Sequence, residues 1–189
     1  MKRILMIFAI VGLILSSVPV AAEADGKAAL STVKKLVGFI RYEKNDLALK
    51  QVGLVPVSRF LMGDYYDQAT PDQRARFQAL LGEYVELRAF PLALKYFKDI
   101  DLSYDEPVVK GEQVLVRSSL LYAGSEQVVF TWVLEEYEGQ YTIVDFLDNG
   151  GKSSMTTNRD KQIQPVLKQK GVAGMIAQME QVVAKARAQ

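Results

Sequence analysis

The stretch FLDNGGKSSMTTNRD, residues 146–160, gathers the side chains of this sequence best suited to chemistry. Gly150, Gly151, Lys152 and Ser153 are the residue types that elsewhere cradle a phosphate. Glycines let successive backbone N–H groups curl around the anion, and the lysine adds charge. The spacing excludes that use. A phosphate loop needs a glycine five residues before its Gly-Lys-Ser, and here that position is Phe146, whose ring would fill the space of the phosphates. Asp145 and Asp148 suggest a second chemistry, because a buried carboxylate with a raised pKa moves protons. The plainer role of an aspartate at a strand end is to cap a turn or accept backbone N–H groups. Lys152 and Arg159 are candidates to meet a lipid phosphate or a partner's acidic patch, against the default of solvated loop charge.

The inventory removes other chemistries. There is no cysteine and no histidine among the 189 residues. Disulfides and thiolate catalysis are therefore absent, and so are the usual neutral-pH general base and the commonest metal ligand. No metal and no cofactor is expected, and the reading is a protein that is not an enzyme. At the N-terminus, Lys2 and Arg3 precede an apolar run from Ile4 to Val18 and then small residues, with Ala22-Glu23-Ala24 fitting an Ala-x-Ala cleavage site. Residues 1–24 thus read as a cleavable signal peptide, 25–189 as one exported domain, and the expected location is the periplasm. Removing that leader takes two of 23 basic and one of 22 acidic residues and leaves 21 of each, too balanced for a nucleic-acid partner.

Apolar spacing supplies the elements that must position these groups. Leu30, Val33, Leu36, Val37 and Ile40 mark a helix over 27–45. Pro56 opens a second, with Val57, Phe60, Leu61 and Tyr65 inward. Thr70, Pro71 and Gln73 form a capping box ahead of a stripe of Phe77, Leu80, Leu81, Tyr84 and Leu87, and Pro91 must kink or end that helix. From Val108 the period becomes two. Three strands joined at YAGSEQ and EGQ place Val114, Val116, Leu120, Val128, Phe130, Trp132 and Ile143 on one face, with Arg117, Gln127, Thr131 and Glu135 on the other. Helix returns near Asn158, breaks at Gly171, and continues with Val172, Ile176, Met179 and Val183 inward. The expected class is α+β, an antiparallel meander with helices over one face. On this pattern alone the apolar face is ordinary core.

Several stretches together resemble the toluene-tolerance, or MlaC-like, family of periplasmic phospholipid-binding proteins of the Mla lipid-transport system. They are LVP (54–56), the run Gly63, Tyr65, Tyr66, Ala69 and Thr70 before the capped helix, Tyr141 with Asp145 at a strand end, and Lys170, Gly171, Gly174 and Met175. The resemblance implies a curved antiparallel sheet, a meander in a cone-shaped fold, with a lipid cavity between it and the helical layer. It also implies a soluble carrier of phospholipid between outer and inner membranes. Its implied partners are an inner-membrane ABC transporter complex, with its substrate-binding-domain protein, and an outer-membrane lipoprotein. The residues expected to line the cavity are Phe60, Leu81, Tyr84, Phe90, Leu94, Phe97, Val116, Phe130, Trp132 and Ile143. The rival readings are a small exported cone-fold enzyme using Asp145 as acid and base, and an interaction domain with a filled core.

Overall fold

The structure is a computed structural model and describes residues 20–189. The expected signal peptide lies mostly outside them, and only its last residues fall at the start of the first helix. That helix, α1 (Val20–Arg41), buries Val33, Leu36, Val37 and Ile40 as the spacing requires. A short α2 (Asn45–Leu49), which the apolar pattern did not reveal, leads to α3 (Leu54–Met62) and α4 (Tyr65–Gln68). α5 (Pro71–Tyr84) starts on the expected capping box: the Thr70 side chain accepts the Gln73 N–H at 3.2 Å, and the Gln73 side chain accepts that of Thr70 at 3.0 Å.

Pro91 neither ends the helix nor leaves it regular. α5 runs into a π turn (Val85–Ala89), where the Phe90 N–H reaches five residues back to the Val85 carbonyl, and then into α6 (Phe90–Phe97). A proline ring collides with the carbonyl four residues behind it, and widening the turn just before it is one way to continue. The same device recurs after α7 (Ser154–Asn158). A π turn (Arg159–Ile163) stands just ahead of Pro165 and opens α8 (Gln164–Arg187), which breaks at Gly171 with φ 65° and ψ −172°.

The meander comprises β3 (Gln113–Tyr122), β4 (Glu126–Tyr137) and β5 (Gln140–Leu147), all antiparallel. Short strands β1 (Ser103–Tyr104) and β2 (Val108–Lys110) both pair with the outer edge of β3, making five strands among the described residues. The β4–β5 turn has Glu138 at φ 52° and Gly139 at φ 78°, the mirror-image turn that matches strand twist. Register shifts at Val133/Leu134: Val133 faces Asp145, while Leu134 faces Ile143. Val144 is the extra residue of this bulge. Beyond it, Phe146 rather than Asp145 shares a face with Trp132, which simple alternation did not anticipate.

Two apolar cores result. The first lies between the sheet's inner face, α1 and α6; the second joins α3, α5 and α8. The π turn passes the helical chain from one to the other, since Phe77, Leu80 and Leu81 belong to the second core and Phe90 and Phe97 to the first. Among the described residues, no helix is long and apolar enough to cross a membrane.

Candidate functional site

The 146–160 loop proves to be a strand-to-helix connection. The Asp148 carboxylate accepts the Gly150 and Lys152 N–H groups, each at 2.9 Å, and the Asp148 carbonyl accepts that of Gly151 at 2.9 Å. The donors that a phosphate would need are already spent on the aspartate. Gly151, at φ 77°, supplies the left-handed residue of this turn. Ser153 caps α7 by accepting the Thr156 N–H at 2.8 Å.

Asp145 has the plainer of its two roles. One carboxylate oxygen accepts the Phe146 N–H at 2.7 Å and the Met155 N–H at 2.9 Å, while the other accepts the Ser153 hydroxyl. The half-buried carboxylate thus ties β5 to the start of α7, with both oxygens engaged. Arg159 lies with its guanidinium 4.6 Å from the Phe60 ring centroid and donates to Asp160 at 2.9 Å. The Lys152 side chain remains exposed.

Seven of the ten residues expected to line a cavity come together in the first core. Phe90, Phe97, Val116, Phe130, Trp132 and Ile143 are buried there, and Leu94 packs against them. Four rings form its centre. Phe130 stacks on Phe146 at 4.9 Å and meets Trp132 edge-on at 5.4 Å. Phe97 closes over Phe130 and Trp132 from α6, at 6.3 and 6.2 Å. Such offset and edge-on pairs suit ring quadrupoles. Within this apolar volume the Trp132 indole N–H finds a partner in the Ser118 hydroxyl at 3.0 Å, so the serine that interrupts the apolar face of β3 is satisfied.

The other three expected residues stand outside that core. Leu81 is buried in the second core. Phe60 and Tyr84 are 40% and 37% exposed, on the outer sides of their helices. Three- and four-residue steps place both on an apolar stripe, but at its edge. The π turn begins directly after Tyr84, and the Phe60 ring lies against the Arg159 guanidinium rather than the sheet. Phe146 is the residue that sequence reasoning missed. Its signal was present in its adjacency to the strand-end aspartate, but the bulge that turns it inward is a tertiary feature.

Two surface clefts lie away from these rings. One, of about 560 Å³, runs between α2, the start of α3, the first π turn and the β4–β5 turn, with Asp46, Glu86 and Tyr137 in its walls. The other, of about 420 Å³, is bordered by Asp25, Glu112, Glu135 and Glu136. None of the ten expected residues lines either cleft. Among the described residues, no cluster of acidic side chains is arranged to hold a metal ion.

A family model described as MlaC protein matches residues 40–181. This chain belongs to the MlaC family. The match begins at the end of α1 and takes in α2 to α7, the whole sheet and α8 as far as Gln181. A phospholipid-binding protein from Ralstonia solanacearum, solved in complex with a phospholipid, has the same fold. It is 18% identical with a TM-score of 0.71, over 86% of this chain and 98% of that one. The α+β architecture with an open antiparallel sheet and helices is thus the architecture of this family.

Proposed function

We propose that this MlaC-family chain is a phospholipid-binding carrier whose ligand's acyl chains lie in the first core, between α1, α6 and the inner face of the sheet. One observation carries the reading. The sheet's inner face and α6 converge in a continuous apolar and aromatic volume, with Phe97 as its cover and the Ser118–Trp132 pair as a satisfied polar contact inside it. The family membership and the phospholipid found with the Ralstonia relative support the same ligand class.

Burial is the chemistry of such a carrier. Each methylene moved out of water is worth about 0.8 kcal/mol, so two long chains represent some 25 kcal/mol gross. Net affinities saturate below that, so separating the rings and desolvating the head group must offset part of it. Because Val116, Phe130 and Trp132 are buried, loading must shift α6 and the Phe97 ring off the strands. Release into water is slow for the same reason, and unloading needs a partner that offers another apolar surface.

The finer reading is a periplasmic shuttle between outer and inner membranes, exported by the leader at 1–24. In it an ABC-type inner-membrane complex and an outer-membrane lipoprotein are the docking partners, and no bond is made or broken. The test is to purify the exported protein, extract it with organic solvent and analyse the extract by mass spectrometry. Stoichiometric phospholipid is expected. A lipid-free extract, together with no uptake from vesicles, would return this volume to ordinary core.

A further inference from the structure

The two ends of α6 are held in different ways. At its N-terminal end the chain enters through the π turn, where the regular helical ladder is interrupted. The Phe90 N–H is displaced to the Val85 carbonyl, and Pro91 has no N–H to offer the Leu87 carbonyl four residues back. At its C-terminal end, Phe97 turns its ring onto Phe130 and Trp132, while its carbonyl accepts a hydrogen bond from Arg41 Nε at 2.9 Å. Arg41 Nη2 donates to the Ile100 carbonyl at 2.8 Å. These carbonyls lie at and just beyond the end of α6, where the helix supplies no donors of its own and a cation is favoured. The remaining nitrogen lies 3.7 Å from the fully exposed Asp101 carboxylate, an ion pair of little consequence.

Arg41 is itself the last residue of α1, and α6 rests chiefly on α1 and on the π turn. It reaches the strands through side chains: the Phe97 ring inside, and Tyr96 against Tyr122 at 5.1 Å outside. One guanidinium therefore joins α1 to the far end of the covering helix, at the residue whose ring closes the interior.

The geometry points to Arg41 as the latch of α6, a positioning residue whose release from the Phe97 and Ile100 carbonyls lets α6 turn about Val85–Ala89 and admit an acyl chain. This rests on the reading of the first core as the lipid site.

The experiment monitors uptake and release of a pyrene-labelled phospholipid between delipidated protein and phosphatidylglycerol–phosphatidylethanolamine vesicles. Arg41→Ala should speed both directions about tenfold, the scale of one charge-assisted hydrogen bond, while the lipid held at equilibrium stays within about twofold because the latch re-forms over the empty and the loaded interior alike. Arg41→Lys, which keeps the charge but not the fork, should fall between, and it decides the matter if Arg41→Ala fails to fold. The chain has no cysteine, so a Tyr96→Cys/Tyr122→Cys pair can be bridged by a reducible cross-linker. The bridged protein should exchange lipid at least tenfold more slowly, about the scale of the latch effect, and recover on reduction. Exchange at the parental rate in Arg41→Ala, with the bridged protein blocked, would overturn the latch and leave the lipid site standing. Unchanged exchange in the bridged protein would overturn the motion of α6. Failure of the parent to take up lipid would remove both the lipid reading and the latch.

Discussion

Phe130 and Phe77 are both phenylalanines with almost no exposed surface, 4% and 0%, yet they belong to different cores. Truncating either to alanine deletes a ring from a packed interior, at about 3–5 kcal/mol. Phe130 also loses its contacts with Phe146 at 4.9 Å and Trp132 at 5.4 Å, aromatic pairs worth about 0.5–1.5 kcal/mol each beyond burial. In a domain of this size 1 kcal/mol moves the melting temperature by about 2–4 °C, so delipidated Phe77→Ala should melt roughly 6–20 °C below the parent and Phe130→Ala at least as far below. Phospholipid should separate them. An acyl chain between α6 and the sheet can fill the space left by Phe130→Ala, but it has no access to that left by Phe77→Ala. Ligand at a hundred times its Kd adds about 2.7 kcal/mol of stability, which calorimetry resolves easily. Dioleoylphosphatidylglycerol should raise the melting temperature of Phe130→Ala by more than it raises the parent's, and that of Phe77→Ala only by the parental amount. Equal lipid gains in the two variants would refute the placement of the acyl chains in the first core.

Three further outcomes are expected. Asp145→Asn leaves at least one of the Phe146, Met155 and Ser153 donors without its acceptor. It should cost about 1–3 kcal/mol in urea unfolding while lipid content is unchanged; lost lipid with unaltered stability would return a functional role to the carboxylate. Calorimetric titration with magnesium ATP should show no saturable binding, because Asp148 already occupies the Gly150 and Lys152 N–H groups, and binding abolished by Lys152→Ala would contradict this. Burial, helped by the Asp46 and Glu83 carboxylates, raises the Glu86 carboxyl above its ordinary value. The folded state then holds that proton to higher pH than the unfolded chain, so stability falls as pH climbs from the ordinary carboxylate range through the raised value. Glu86→Gln should be the more stable protein at neutral pH and lose that slope, and an identical pH profile in the two proteins would dismiss the effect.

Features that neighbouring residues settle among themselves were legible in the chain. Thr70 and Gln73 cap α5 across three residues, Glu138-Gly139 folds β5 back on β4, Gly171 breaks α8, and Phe146 closes the phosphate reading on spacing alone. Period-two alternation put Val116, Phe130, Trp132 and Ile143 on one face, because a pleated strand leaves no other choice. The residues that carry the family likeness lie in the same local segments. Contacts between residues far apart in the chain decided the rest. The bulge opposite Val133 lies where β5 pairs with β4 and, at Ile143, with the Gln51–Gly53 segment ahead of α3, and it sends Phe146 into the aromatic group and Asp145 to the helix cap. The sequence showed that Pro91 must disturb its helix. Only the tertiary structure shows that the disturbance is a π turn, one that passes the chain from one core to the other. Arg41 reads as one more charge at the end of an amphipathic helix until folding brings the end of α6, 56 residues away in the chain, within hydrogen-bonding reach. Local hydrogen bonds and side-chain period act over a few residues and are written in the chain, whereas the partners of a latch, a bulge or a cavity wall are chosen by packing over the whole domain.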